Sequence, residues 1–168
     1  MAKRVVTKIG DVFSVKIDDN SKKYFQLIAF DLTQLNSDVI RAFKQVYPIN
    51  ANPDLQKIIN GEVEFYAHCV TKWGVKLGFW EKAGSISTVG ELEHILFRDT
   101  NDYGCKVGEE PIKVSQNWYV WRINDADFKW VGKLKGENQK AEIGVVMDPE
   151  SIVRRMQTGE YGGFYPSY

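Results

Sequence analysis

Alternating apolar and polar residues recur along most of the chain, and this period-two pattern predicts β-strands. Near the start, Phe13, Val15 and Ile17 alternate with polar residues, and a turn-forming cluster at 18–21 separates them from the apolar run 24–32. These segments are typical of a β-hairpin. The run 24–32 is apolar on both faces, so we expect a central strand that is covered on both sides.

The same pattern predicts further strands over residues 39–47, 63–69, 74–80, 84–88 and 141–147. Near the C-terminus, the segments 117–123 and 128–131 flank four turn-forming residues, 124–127, and predict a second hairpin. This hairpin is the more unusual of the two because it carries three of the five tryptophans of the chain.

Two segments carry the start and stop signals of helices. One begins at Asn52 as the cap, continues with proline and aspartate, and reaches a glycine suited to a helix end at Gly61. The other opens at Asp148 with the same order of cap residue, proline and acidic residue, and stops at Gly159. Residues 91–97 fit a helix slightly better than a strand.

Together these elements predict a single domain over residues 1–168 of the α+β class, mostly β. We expect a bent antiparallel sheet or a partly closed barrel, with two or three short helices packed on its outside. No Ser/Gly/Pro linker and no internal repeat divides the chain. The aromatic segment 162–166 is expected to dock back on the body, because free aromatic rings would make a sticky tail.

The charge balance limits the classes of partner. The 22 Lys and Arg residues match the 22 Asp and Glu residues, which gives a formal charge of +0 and a pI near 6.7. A dedicated duplex-DNA binder would carry a broad positive field, so we do not expect one. No apolar run approaches the roughly 20 residues that span a bilayer, and no secretory signal is recognisable. With two cysteines, both expected to be reduced, the cytoplasm is the expected location.

Catalytic and cofactor motifs are absent from the sequence, including the common phosphate-binding, dinucleotide-binding, serine-hydrolase and zinc-protease patterns. The soft metal ligands are His68, Cys69, His94 and Cys105, and the first two are adjacent on a predicted strand, where successive side chains point to opposite faces. We therefore expect no metal, no cofactor and no enzymatic activity. A pair formed by Cys105 with His68 or His94 stays open, because such partners meet in space rather than in sequence.

Aromatic residues on the second hairpin are the strongest functional signal. Trp118 and Tyr119 point to opposite faces of their strand, so we expect one aromatic set in the core and the other in a protein-binding patch. Stacking of single-stranded bases is a weaker alternative, because the basic segment 1–50 does not carry the tryptophans. We expect neither nucleic acid nor a membrane as a partner.

Four segments resemble the immunity protein 26 family, a bacterial family found beside polymorphic toxin genes. They are residues 8–15 (KIGDVFSV), 78–84 (GFWEKAG), 141–145 (AEIGV) and 148–155 (DPESIVRR). The resemblance implies a mostly β, cytoplasmic, single-domain protein that binds a cognate toxin domain and blocks it without catalysis. It offers no catalytic motif to transfer.

On that hypothesis, the second hairpin is the expected toxin-binding site, since inhibitors combine a few desolvated anchors with charges that steer the partner. The candidate residues are Asp125, Asp127, Trp118, Tyr119, Trp121 and Trp130, with Glu109 and Glu110 as a second acidic group. The alternative is a small-ligand-binding or hydrolytic β-rich domain that uses the concave face of its sheet. The oligomeric state stays open.

Overall fold

The computed structural model describes residues 4–102 and 104–168, and its strands form two sheets. In chain order the strands are β1 (Asp11–Lys16), β2 (Ser21–Asp31), β3 (Ser37–Phe43), β4 (Tyr47–Pro48), β5 (Val63–Cys69), β6 (Glu81–Ser85), β7 (Leu96–Thr100), β8 (Trp118–Arg122), β9 (Lys129–Gly132), β10 (Glu142–Ile143) and β11 (Val146–Met147). The helices are α1 (Leu55–Ile59), α2 (Thr71–Leu77) and α3 (Pro149–Thr158), with a 3-10 turn at Gly136–Lys140.

The first sheet has the order β11-β5-β3-β2-β1-β6, with the short β4 also paired to β2, and the second has the order β10-β7-β8-β9. Neighbouring strands are antiparallel except for two parallel pairs, β10 with β7 and β11 with β5. The segment 142–147 therefore joins both sheets, because β10 belongs to the second and β11 to the first. The expected α+β, mostly β class is confirmed, and the bent, mixed sheets do not close into a barrel.

The first sheet is covered on both faces, as the apolar run of β2 indicated. One face packs Phe25 and Leu27 against Ile152 and Met156 of α3. The opposite face is covered by α1 at one end and by the second sheet at the other, where Ile28 belongs to the cluster that contains buried aromatic residues of β7 and β8. This layering holds the second sheet, and with it the hairpin β8–β9, against the end of β2.

Both predicted hairpins and the last helix are confirmed. The strands β1 and β2 pair antiparallel, as do β8 and β9. In α3, Asp148 is the cap and accepts a hydrogen bond from the backbone N–H of Ser151, and Gly159 ends the helix in the left-handed conformation. The segment 162–168 docks as expected, since the Tyr165 hydroxyl donates to Asp99 at 3.1 Å and Ser167 bridges to Val114.

Several local predictions are wrong in type or boundary. The strand expected at 39–47 ends at Phe43 and is followed by the separate strand β4, and the strand expected at 84–88 lies at Glu81–Ser85. Residues 74–80 were expected as a strand but contribute to α2, where Gly74 lies under the Trp80 ring so closely that an added Cβ would be 1.9 Å from a ring carbon. Residues 91–97 end in strand β7 rather than forming a helix. The first helix is capped by Asp54 instead of Asn52, and the strand expected at 141–147 is split into β10 and β11.

Candidate binding surface

Two exposed aromatic side chains and the partly exposed Tyr119 form a continuous surface on the hairpin β8–β9. Tyr119 and Trp130 are cross-strand partners with ring centroids 4.8 Å apart, and Phe128 lies 4.6 Å from Tyr119. Trp130 is 59% exposed and Phe128 37% exposed. We call Tyr119, Phe128 and Trp130 the hairpin aromatic surface.

The register of the second sheet explains why only part of its aromatic set is exposed. Trp121 shares a face with Tyr119 but lies over the first sheet, where it packs beside Phe97 and is 2% exposed. Trp118 points to the opposite face, is 0% exposed and packs with Leu134 and Ala141. Of the four aromatic residues that the sequence suggested, Tyr119 and Trp130 are therefore accessible, whereas Trp118 and Trp121 belong to the core.

The hydroxyl of Tyr119 is held by a carboxylate behind the exposed surface. Its partner is Asp99 on β7, which also accepts the hydroxyl of Tyr165. Burial raises the pKa of Tyr119 to about 12, and the negative charge of Asp99 adds to the rise. Tyr119 is therefore protonated at physiological pH.

The tip of the hairpin is hydrogen-bonded to the turn between β2 and β3. Asn124 adopts a left-handed backbone with φ of 62°, and its side-chain oxygen accepts the N–H of Leu32 at 2.8 Å. The carbonyl oxygen of Asp125 accepts the Thr33 hydroxyl and the Gln34 amide, both at 2.8 Å. These contacts tie the tip to the first sheet, and we call them the tip clamp.

The two acidic residues of the tip have different surroundings. The side chain of Asp125 accepts the backbone N–H of Arg122 at 2.8 Å, so this half-buried residue closes the turn. Asp127 is exposed and makes no hydrogen bond or ion pair in the part of the chain that the structure describes. Asp125 therefore has a structural role in the turn, in addition to being a candidate binding residue.

A buried Asp–His pair is hydrogen-bonded to the hairpin tip next to the tip clamp. His68 Nε2 lies 2.9 Å from Asp31 Oδ2, both side chains are fully buried, and the Phe97 ring packs 4.1 Å from the imidazole. Because an ionised carboxylate only accepts, Nε2 carries the proton. The second oxygen of Asp31, Oδ1, accepts the N–H of Asn124 at 3.3 Å. The pair thus links β5, β2 and the hairpin tip.

Burial alone would raise the pKa of Asp31. The hydrogen bond and electrostatic interaction with His68, with the backbone N–H groups of Gln34 and Asn124, outweigh that effect and lower the pKa of Asp31 to about 2. Asp31 is therefore ionised in the folded protein at neutral pH. No spacing in the sequence marks this pair, since its members lie on β2 and β5 and are brought together by β3 between them.

An apolar groove of about 840 Å³ lies beside the hairpin tip. Its lining comprises Ile9, Ile28, Ala29, Phe30, Leu32, Leu92, Glu93, Arg122, Ile123, Asn124 and Asp125. Leu32 is 69% exposed at its rim, and Arg122 donates from Nε to the backbone carbonyl of Glu93. The groove and the hairpin aromatic surface are thus two apolar regions that meet the same hairpin.

A second cleft, of about 630 Å³, lies between α3, β10 and the C-terminal segment. Its main charged groups already have partners within the chain. Arg155 donates to Glu142 at 2.9 Å and stacks over Phe65 and Tyr161, and Arg98 donates to the carbonyl of Ala141. This arrangement is typical of a structural network that fastens α3 to the sheets.

The remaining candidates from the sequence are not brought together. Glu109 and Glu110 are exposed in the segment 104–117. His68 is paired with Asp31, and His94 Nε2 lies 3.2 Å from the Tyr66 hydroxyl, so neither histidine is hydrogen-bonded to the exposed Cys105. Within residues 4–102 and 104–168, no group of three His, Cys, Asp or Glu side chains is placed to hold a metal ion.

No helix in the described ranges is both long enough and apolar enough to cross a membrane. Comparisons with family models, curated proteins and solved structures found no match to this chain.

Proposed function

We propose that this protein is an immunity protein that binds a cognate bacterial toxin domain and neutralises it without catalysis of its own. The observation that carries the proposal is the hairpin aromatic surface, above all Trp130 with 59% of its area exposed. Trp and Tyr side chains dominate the energetics of protein interfaces when a partner buries them. A cluster of three such rings on one hairpin is costly to leave in water, and a partner surface would remove that cost.

The rigidity of the hairpin supports the same function. The tip clamp and the Asp31–His68 pair hold the hairpin tip against the first sheet. A surface that is already ordered loses little conformational entropy on association, which favours tight binding. Inhibition of a toxin requires such affinity, since free toxin harms the cell that makes it.

A binding role also fits the environment of the one His–carboxylate pair described above. Asp31 and His68 are closed to solvent, and Phe97 covers the imidazole, so a substrate has no route to them. We assign the pair a structural role beneath the binding surface. In this proposal the protein acts in the bacterial cytoplasm, where Asp127, Glu109 and Glu110 remain predicted contributors to toxin recognition.

The direct test is to express the protein together with the toxin domain encoded beside its gene. We expect host growth to be restored and a stable complex to be isolated by size-exclusion chromatography. The matched control is an immunity protein from an unrelated toxin locus, which should give neither result. Toxicity that persists in the presence of the folded protein, with no complex formed, would contradict the proposal.

The groove beside the tip favours a second candidate function, the binding of an apolar small ligand. Its volume of about 840 Å³ lies in the range of ligand pockets, and its floor is formed by Ile28, Ala29 and Phe30. Under this alternative, Leu32→Glu at the rim would weaken binding of an apolar fluorescent probe. The same variant would leave toxin neutralisation unchanged if the groove and the toxin interface are separate.

A further inference from the structure

We propose that the partner contributes an extended acidic segment that adds as a new strand to the free edge of β9. This inference rests on the proposed function, because it names the chemistry of the protein partner. It follows from three features of β9 and the loop after it, which are a free backbone edge, a set of lysines without counter-ions and the adjoining aromatic rings.

The first feature is the position of β9 at the end of its sheet. It pairs with β8 on one side, and in the described residues no other strand or backbone group pairs with its outer side. An exposed strand edge presents N–H and C=O groups that an extended peptide can bind by β-strand addition. The strand is four residues long and its last residue, Gly132, has a left-handed backbone with φ of 64°, so the extended docking site is the segment 129–131.

The second feature is a local excess of positive charge in a chain whose net charge is zero. The segment 128–136 contains Lys129, Lys133 and Lys135 and no acidic residue. All three lysines are exposed, and none forms an ion pair with another described residue, whereas the nearby Lys140 is paired with Glu137. This local charge of +3 is complementary to acidic residues on the added strand.

The third feature is the surroundings of the charged edge. Trp130 lies in β9 itself, so side chains on the same face of an added strand would pack against the hairpin aromatic surface. At the other end of β9, Lys133 and Lys135 line a small cleft of about 220 Å³ with Gln116. The charges of these two exposed lysines are complementary to a carboxylate of the incoming segment.

A polypeptide fits these features better than a single-stranded nucleic acid. Aromatic rings beside lysines could stack bases, but a nucleic acid cannot satisfy a row of strand N–H and C=O groups in the manner of a β-strand. The zero net charge of the chain also supplies no broad field for a polyanion.

The probe for the test is a short synthetic peptide of alternating glutamate and valine, which is extended and acidic. Its binding to the whole protein is measured by fluorescence anisotropy at low and at moderate salt. Three comparison ligands are used, namely the same peptide N-methylated on alternate residues, a peptide of alternating lysine and valine, and oligothymidylate. The N-methylated peptide keeps its charges but cannot pair with a strand edge.

We expect the acidic peptide to bind, N-methylation to weaken binding by at least about tenfold, and added salt to weaken it further. The double variant Lys129→Glu/Lys133→Glu should weaken binding by at least about tenfold, while the matched exposed pair Lys72→Glu/Lys76→Glu on α2 should not change it. Equal binding of the N-methylated and unmodified peptides, or tighter binding of oligothymidylate, would overturn the proposal.

The outcomes separate this inference from the proposed function. If the toxin forms a complex that the Lys129→Glu/Lys133→Glu variant binds as tightly as the wild type, the edge-strand inference fails and the immunity function stands. If the acidic peptide binds at β9 but the toxin is not neutralised, the immunity function fails and the edge-strand inference stands.

Discussion

Replacing Asp31 by asparagine should destabilise the protein through the loss of a single buried charge. The two oxygens of Asp31 serve different partners, because Oδ2 accepts from His68 while Oδ1 accepts from Asn124 and from the β2–β3 turn. Asparagine has one side-chain oxygen, so its Nδ2 would face either the imidazole or the donors of the turn. The variant therefore breaks one half of the arrangement while conserving size and shape.

The magnitude follows from the pKa of the carboxyl. Folding lowers the pKa of Asp31 from 3.8 to about 2. At about 1.4 kcal/mol per pH unit, this shift corresponds to roughly 2–3 kcal/mol of stability at pH 7. Because the folded-state pKa is the lower one, the contribution is complete above pH 5 and is lost as the pH falls towards 2. At pH 3 about half of it remains.

Urea unfolding at pH 7 and at pH 3 measures both parts of this prediction. We expect Asp31→Asn to lower the free energy of unfolding by about 2–3 kcal/mol at pH 7, and by about half that amount at pH 3. Asp127→Asn is the matched control, since this exposed carboxylate has no partner among the described residues, and its effect should stay within about 0.5 kcal/mol. A loss for Asp31→Asn that is below 0.5 kcal/mol, or that does not shrink at low pH, would refute the reasoning.

Three further predictions concern packing and the turn. Gly144→Ala should lower the free energy of unfolding by about 1–3 kcal/mol, because the added Cβ would lie 2.0 Å from a ring carbon of Trp121. An unchanged urea midpoint would contradict this prediction. Truncation after Gly159 removes the rings of Tyr165 and Tyr168 from Trp118. Thermal unfolding should then show that the free energy of unfolding falls by at least about 2 kcal/mol. An unaltered melting temperature would contradict the docking of the C-terminal segment. Asp125→Ala should lower the free energy of unfolding by about 1 kcal/mol, because the backbone N–H of Arg122 loses its acceptor. Equal urea midpoints for Asp125→Ala and Asp127→Ala would show that Asp125 does not close the turn.

The elements that could be predicted from the sequence are those whose signals are local. The two hairpins combine period-two alternation with turn residues, and α3 combines an Asp-Pro start with a glycine stop. The short apolar segments are ambiguous, because a run of a few residues fits the helical period of 3.6 residues as well as the strand period of two. The helix α2 depends on the Trp80 ring covering Gly74, which is a tertiary contact that no local pattern reports.

The candidate site could be predicted only in part, because its local alternation is visible in the sequence but its tertiary packing is not. Alternation placed Tyr119 and Trp121 on one face of β8, but which of them is buried depends on where the first sheet ends beneath the second. The pairing of Asp31 with His68 depends on the order β2-β3-β5, and the free edge of β9 depends on sheet topology. Each of these features is set by long-range packing rather than by residue spacing.

The most direct test of the central claim is the dissociation constant for the toxin domain encoded beside the gene, measured for Trp130→Ala and for Trp73→Ala. These tryptophans are similarly exposed, at 59% and 55%, but Trp73 lies on α2, outside the hairpin. We predict that Trp130→Ala raises the constant by at least about 30-fold, which is about 2 kcal/mol, whereas Trp73→Ala changes it by less than about threefold. Equal constants for the two folded variants would contradict the assignment of the hairpin aromatic surface as the toxin-binding site.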